Sequence, residues 1–130
     1  MTNKIEVRNL NLFIEKNHIL KDINVIIPEN KITVIIGPSG CGKTTFLRTL
    51  NRLTDLNEKI NVTGDIIIDN ENILNTKTDI TAIRRKMGLL SQRPYTLPMS
   101  ISDNITFGLK INGLKEQVIV NLIHHHSKRL

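Results

Sequence analysis

One segment constrains this chain more than any other: residues 37–44, which read GPSGCGKT and fit the pattern G-x-x-x-x-G-K-[ST]. The apolar run 33–36 before it predicts a short buried strand, and residues 43–53 after it predict a helix. Strand, loop and helix in this order are typical of a phosphate-binding loop. The alternative is a glycine-rich turn with a surface lysine. The segment therefore predicts an α/β core that binds ATP or GTP.

Each residue type in this loop suits phosphate binding for a chemical reason. Glycines let the backbone curl so that successive N–H groups point inward at the start of the helix. Lys43 adds a positive charge for the β- and γ-phosphates, and the Thr44 hydroxyl is the expected Mg²⁺ ligand. Pro38 suits the turn but has no N–H to donate. The predicted nucleotide-binding residues of this loop are Gly37, Pro38, Ser39, Gly40, Cys41, Gly42, Lys43, Thr44 and Thr45.

Length and composition limit the fold class. The 130 residues suit one folding unit, and 39% hydrophobic but only 3% aromatic content predicts an aliphatic core. The longest apolar runs, 25–27 and 34–36, are far shorter than the roughly 18 to 20 residues of a membrane span. One cysteine excludes an internal disulfide, and the first residues contain no signal-peptide pattern, so we expect a cytoplasmic location.

The net charge is +6, and basic residues are clustered at 84–86 and 128–129. Solvated helix faces are the favoured explanation, and nucleic-acid binding is the alternative. His124, His125 and His126 could hold a metal, but a frayed, solvated end is favoured because adjacent residues do not share one helix face. A tag remnant is a further alternative. Cys41 is interpreted as a small loop residue rather than as a redox-sensitive thiol.

Hydrophobic periodicity and turn residues predict further strands and helices along the chain. Asp79 is a candidate cap for a short helix ending at Lys86, and residues 92–98 contain two prolines and predict a loop. Ser100 and Asp103 resemble a capping box for a helix that stops near residues 112–113. The predicted strands are 5–14, 22–27, 33–36, 64–68 and 87–90.

Residues 37–53, GPSGCGKTTFLRTLNRL, resemble the ATP-binding subunits of ATP-binding-cassette (ABC) transporters. Within that family, segments 83–94 (IRRKMGLLSQRP) and 98–105 (PMSISDNI) are similar to the ATP-binding subunit of bacterial phosphate importers. The similarity extends from Lys4 to about Lys115. A DNA-associated cassette ATPase would share the phosphate loop, but the Gln-Arg-Pro segment does not support it.

The resemblance implies an α/β fold. It would be the P-loop NTPase core of an ABC-type nucleotide-binding domain, with an N-terminal antiparallel β subdomain, truncated within the helical subdomain. Residues 1–130 would form a single partial domain. Its parts would be the β subdomain and P-loop core in 1–90, the Q-loop in 91–99 and the start of the helical subdomain in 100–130.

The resemblance also implies an ATPase that couples ATP hydrolysis to phosphate import and uses ATP and Mg²⁺. Lys43 and Gln92 would be its catalytic residues, with Gln92 a contact for Mg²⁺ and water. Ile14 stands where the family stacks an aromatic ring on adenine, with Phe13 beside it. The implied partners are membrane permease subunits and a second ATP-binding subunit in a homodimer, without nucleic acid. The implied location is the cytoplasmic face of the bacterial inner membrane.

Several family motifs have no counterpart in these 130 residues: the LSGGQ-type signature, an apolar strand ending in Asp-Glu, and the switch histidine. Asp69 follows the apolar run 66–68, but Asn70 comes next, so Asp69 is interpreted as a turn residue. Ser91 is polar where the family has an aromatic or apolar residue. Two functions stay open: an importer ATPase subunit seen as its N-terminal half, or a catalytically inactive nucleotide-binding fragment of a truncated gene. Unpaired strand edges in such a fragment predict self-association.

Overall fold

The computed structural model describes residues 3–75, 77–93, 95–115, 117–119 and 121. The chain divides into two compact units, Met1–Leu89 and Leu90–Leu130, and each is described by itself. Within the described residues, no helix is long and apolar enough to cross a membrane. The three histidines at 124–126 lie outside the described residues. The domain boundaries implied by the resemblance stay a prediction.

The first unit contains an antiparallel sheet, as predicted for the N-terminal part of the chain. Asp69 and Asn70 connect the last two strands with φ angles of 50° and 66°, which is the backbone of a tight hairpin turn. The interpretation of Asp69 as a turn residue is therefore confirmed. The strands are β1 (Asn3–Ile14), β2 (Asn17–Pro28), β3 (Ile60–Ile68) and β4 (Glu71–Asn72). Their order across the sheet is β2-β1-β3-β4.

One face of this sheet forms an apolar core with two helices, α1 (Lys43–Leu50) and α2 (Ile80–Lys86). The prediction of an aliphatic core is confirmed, since Phe46 is the only aromatic residue in the core cluster of described residues. The cluster consists of Val7, Leu10, Leu12, Leu20, Phe46, Leu50, Ile66, Ile68, Ile73 and Ile83.

A β-bulge near Asn9 changes which residues of β1 face the core. The register between β1 and β3 shifts by one between Arg8 and Asn11, and Asn9 has a φ of 47°. Core residues of β1 are therefore odd-numbered before the bulge, as at Val7, and even-numbered after it, as at Leu12. Gly64 lies opposite with a φ of 104°, and a Cβ there would lie 2.4 Å from the carbonyl oxygen of Asn9. Only glycine fits at this position.

The C-terminal end of α1 differs from the prediction. The helix ends at Leu50 rather than at residue 53, because Arg52 takes a φ of 56° before the short 3-10 turn Leu53–Leu56. Arg84 of α2 is half-buried and donates to the carbonyl oxygens of Asn51 and Arg52, at 3.2 and 2.8 Å. The expectation of a solvated basic face at residues 84–86 is therefore wrong for Arg84.

Two predicted strands, 33–36 and 87–90, do not form. Ile32, Val34 and Ile36 are 95%, 73% and 87% exposed. A β-strand is stable only when neighbouring strands bond to its backbone, and no described strand pairs with either segment. Both segments are apolar, as a buried strand requires, but an apolar sequence does not itself provide a neighbouring strand for pairing.

The second unit contains α3 (Ile101–Ile111). The Ser100 hydroxyl accepts from the Asp103 backbone N–H at 3.0 Å and donates to the Asp103 carboxylate at 2.6 Å, which confirms the predicted helix start. The hydrogen bond from the Ser100 hydroxyl holds the pKa of Asp103 below its ordinary value, and the hydrogen bond and charge of Lys110 add to this effect. The helix ends at Ile111, next to the predicted stop at residues 112–113, with Asn112 as its C-cap and Gly113 at a φ of 77°.

Candidate functional site

The glycine-rich loop leads directly into α1. Gly40 and Gly42 have φ angles of 80° and 95°, a backbone region that residues with a side chain rarely adopt. Gly42 is the N-cap of α1 and lies against the sheet, where an added Cβ would come within 2.9 Å of Leu20 Cδ2. The loop is thereby fixed to β2 at the point where the helix begins.

The first turn of α1 presents unbonded backbone donors. The first helical bond is from the Phe46 N–H to the Gly42 carbonyl oxygen, at 2.8 Å. The N–H groups of residues 43–45 have no acceptor among the described residues. They lie at the positive end of the helix dipole, which favours an anion. The arrangement fits phosphate oxygens.

Lys43 lies across this loop. Its ammonium donates to the carbonyl oxygens of Gly37 and Pro38, at 2.8 and 2.6 Å, and contacts Cys41 Sγ at 3.5 Å. An ammonium group has three protons, so two are committed to carbonyls and the third makes only a weak contact with sulfur. A phosphate oxygen can replace that thiol. Lys43 thus brings a positive charge to the site with one donor available.

Thr44 is exposed on the first turn of α1. Among the described residues, no group of three or more His, Cys, Asp or Glu side chains could hold a metal. Mg²⁺ commonly keeps several waters and binds through substrate phosphates and few protein ligands. The donor set therefore fits Mg²⁺ only as an ion that arrives with phosphate, with the Thr44 hydroxyl as an added ligand.

Phe13 and Ile14 lie on opposite faces of β1. Ile14 packs against the core cluster to which Phe46 of α1 belongs. Phe13 stacks on His18, with ring centroids 4.1 Å apart, and His18 Nε2 is 2.8 Å from Asn11 Oδ1. Of the two, Ile14 is therefore the one on the α1 side of the sheet. Contact of either residue with adenine stays a prediction.

A cavity of about 220 Å³ lies in the first unit beside the loop. Its walls are mainly aliphatic side chains, and Lys43 is the one charged residue among the described residues that line it. The groups that suit phosphate are therefore those of the loop and the first turn of α1, at one side of this cavity. The lining residues are Leu20, Ile23, Val25, Ile27, Thr33, Ile35, Ile36, Cys41, Gly42, Lys43 and Phe46.

The other predicted site residues fall into two groups. Ser39 and Cys41 are exposed in the loop, and Thr45 is half-buried in α1. Gln92 is exposed and belongs to the second unit, so its contact with Mg²⁺ and water stays a prediction. The bonds from Lys43 that hold the loop were not predicted, because a lysine that donates to carbonyls of its own loop has no sequence signature beyond the motif itself.

A comparison with protein families agrees with this geometry. A family model described as ABC transporter matches residues 20–129. The match includes the glycine-rich loop, α1, Gln92 and α3, and thus parts of both units.

Proposed function

This chain belongs to the ABC transporter family, and we propose that it binds Mg·ATP at residues 37–45 as the ATP-binding subunit of a phosphate importer. The observation that carries the proposal is the position of Lys43. Its ammonium is bonded to the carbonyls of Gly37 and Pro38 and keeps one proton for a phosphate oxygen, next to three open N–H groups of α1.

Each group has a distinct task in this proposal. The N–H groups of residues 43–45 hold phosphate oxygens, and Lys43 offsets the negative charge between the β- and γ-phosphates. The Thr44 hydroxyl is a ligand for the metal. Mg²⁺, when bound with ATP, neutralises charge that develops on the phosphates. Gln92 would contact the metal and the attacking water, which an amide can do because it both accepts and donates.

Phosphate as the transported substrate is supported by the similarity of segments 83–94 and 98–105 to phosphate-importer subunits. The same similarity supports membrane permease subunits and a second copy of the ATP-binding subunit as partners. It also supports a place at the cytoplasmic face of the inner membrane. Reconstitution with phosphate-importer permease subunits should give ATP hydrolysis that phosphate stimulates and sulfate does not. The opposite preference would exclude phosphate as the substrate.

Calorimetric titration with Mg·ATP tests the nucleotide site. Loss of one charge-assisted hydrogen bond costs about 1.5 to 3 kcal/mol, so Lys43→Ala should weaken binding roughly 10- to 100-fold. Lys31→Ala is the matched control, since Lys31 is an exposed lysine upstream of the loop and should leave the affinity unchanged. Equal affinity of the wild type and Lys43→Ala would exclude the proposed site.

A phosphate-release assay separates the importer ATPase from the inactive nucleotide-binding fragment. Turnover by this chain that disappears in Lys43→Ala would exclude the inactive fragment. Binding of Mg·ATP without turnover would support it, and would confine the proposal for this chain to nucleotide binding.

A further inference from the structure

The far end of α1 is held by a side chain that the proposed function has not used. Arg84 of α2 donates through Nε to the Asn51 carbonyl oxygen at 3.2 Å and through a terminal nitrogen to the Arg52 carbonyl oxygen at 2.8 Å. The next residue toward the N terminus, Ile83, is 4% exposed and belongs to the same apolar cluster as Leu50. The helix α2 is thus joined to the end of α1 by both packing and hydrogen bonds.

These bonds lie just beyond the last helical residue, Leu50, since Asn51 is the C-cap of α1 and Arg52 follows it. The last carbonyls of a helix have no partner within it and carry the negative end of its dipole. Here the chain turns sharply after Leu50, since Arg52 has a φ of 56°. A guanidinium is planar and donates in fixed directions, so it fixes the direction of two successive carbonyls as well as neutralising their charge.

Both ends of α1 are therefore tied to other elements. At the start, Gly42 lies against Leu20 of β2; at the end, Asn51 and Arg52 are bonded to Arg84 of α2. The helix has only eight residues, and the open N–H groups of residues 43–45 move with its axis. A tilt at one end changes the direction in which the donors at the other end point.

We propose that Arg84 is a positioning residue for nucleotide binding. It fixes the orientation of α1, and through it the donors that hold the phosphates; this rests on the proposed function of the loop. A displacement of α2 would therefore reach the phosphate site through Arg84.

The experiment compares Arg84→Ala with Arg85→Ala in titrations with Mg·ATP. Both variants remove one arginine from the same helix, but Arg85 is exposed. The titrations are run at a temperature at which circular dichroism shows both variants folded. We expect Arg84→Ala to weaken Mg·ATP binding about three- to tenfold and Arg85→Ala to stay within about twofold. A role in stability alone would lower the unfolding temperature and leave the affinity of the folded protein unchanged, which would overturn the proposal.

If Arg84→Ala does not fold, titration of Arg84→Lys with Mg·ATP provides a second test. A lysine keeps the charge at the helix end but not the planar fork, so an affinity below that of the wild type is expected. Wild-type affinity in Arg84→Lys would show that orientation by the fork is not needed, and would overturn the proposal. Failure of the wild type itself to bind Mg·ATP would instead overturn the proposed function, on which this inference rests.

Discussion

Large aliphatic residues occur both in the sheet and in residues 32–36, which lead into the glycine-rich loop. They are buried in the sheet and exposed in residues 32–36. Leu10, Leu12 and Ile66 are fully buried, whereas Ile32 and Ile36 are 95% and 87% exposed. The sheet residues face helices and lie between bonded strands, while residues 32–36 have no described strand beside them. Burial therefore depends on the neighbours that the fold supplies, since residues 32–36 are mainly apolar as well.

The same difference separates the sheet from the proposed phosphate-binding region. Along β1, backbone groups bond to β2 on one side and to β3 on the other. In the loop and the first turn of α1, the N–H groups of residues 43–45 have no acceptor among the described residues. Open backbone donors weaken a core, but they are what an anion site requires.

The largest expected effect tests the burial contrast directly. Leu12→Ala should lower the free energy of unfolding by about 2 to 5 kcal/mol because it leaves a cavity in the core. Val34→Ala should change it by less than about 0.5 kcal/mol, since Val34 is 73% exposed. Urea denaturation of the two variants measures both changes. A comparable loss in the two variants would mean that residues 32–36 are buried in solution and would break the comparison.

A second test compares two glycines, one in each region. Both have a positive φ, but a Cβ on Gly64 would also meet the Asn9 carbonyl oxygen at 2.4 Å, whereas one on Gly40 meets nothing within 4 Å. We expect Gly64→Ala to cost about 2 to 3 kcal/mol and Gly40→Ala about 1 kcal/mol. Thermal unfolding of the two variants gives the ranking, and the reverse order would contradict the described bulge.

The smallest expected effect is electrostatic and lies at the end of the sheet. A hydrogen bond from Lys4, at 2.6 Å, holds the pKa of Asp69 below its ordinary value, and Lys86 at 3.7 Å adds to the effect. The folded chain then binds this proton more weakly than the unfolded chain does. The stability that Asp69 contributes is present above the ordinary aspartate pKa and is lost as the pH falls through the folded-state pKa.

Asp69→Asn should therefore lower the urea midpoint slightly at pH 7, and the difference from wild type should vanish as the pH falls well below about 4. Asparagine suits the positive φ of this turn, so the backbone is not strained. Glu71→Gln is the control, because Glu71 has no ion pair in the described structure. A difference that grows on acidification would contradict the assignment.

Local features were the predictable part of this fold. The Asp79 carboxylate accepts from the Thr81 N–H at 2.8 Å, and Ser100 caps α3, both as the sequence indicates. A cap, a tight turn or a phosphate loop depends on residues within a few positions of one another, so the sequence pattern contains most of the information. The loop at residues 37–44 belongs to this class.

Features that depend on distant partners were not predictable in the same way. Arg84 was expected to be solvated because nothing in residues 84–86 indicates the carbonyls of Asn51 and Arg52, 32 or more positions away. The bulge at Asn9 moves the core face of β1 from odd to even positions, a change that simple alternation conceals. Thr54 is buried with its hydroxyl unbonded among the described residues, and no pattern in the sequence indicates this.

The contacts of Lys43 also bear on the entropy of nucleotide binding. A free lysine side chain loses up to about 2 kcal/mol of rotamer freedom when it becomes ordered. In this loop the Gly37 and Pro38 carbonyls already order it, so much of that loss belongs to folding rather than to binding. The Lys43 side chain is thus preorganised for the proposed nucleotide binding. Binding should therefore lose less side-chain entropy, and its affinity should depend less on temperature, than at a site with a free surface lysine.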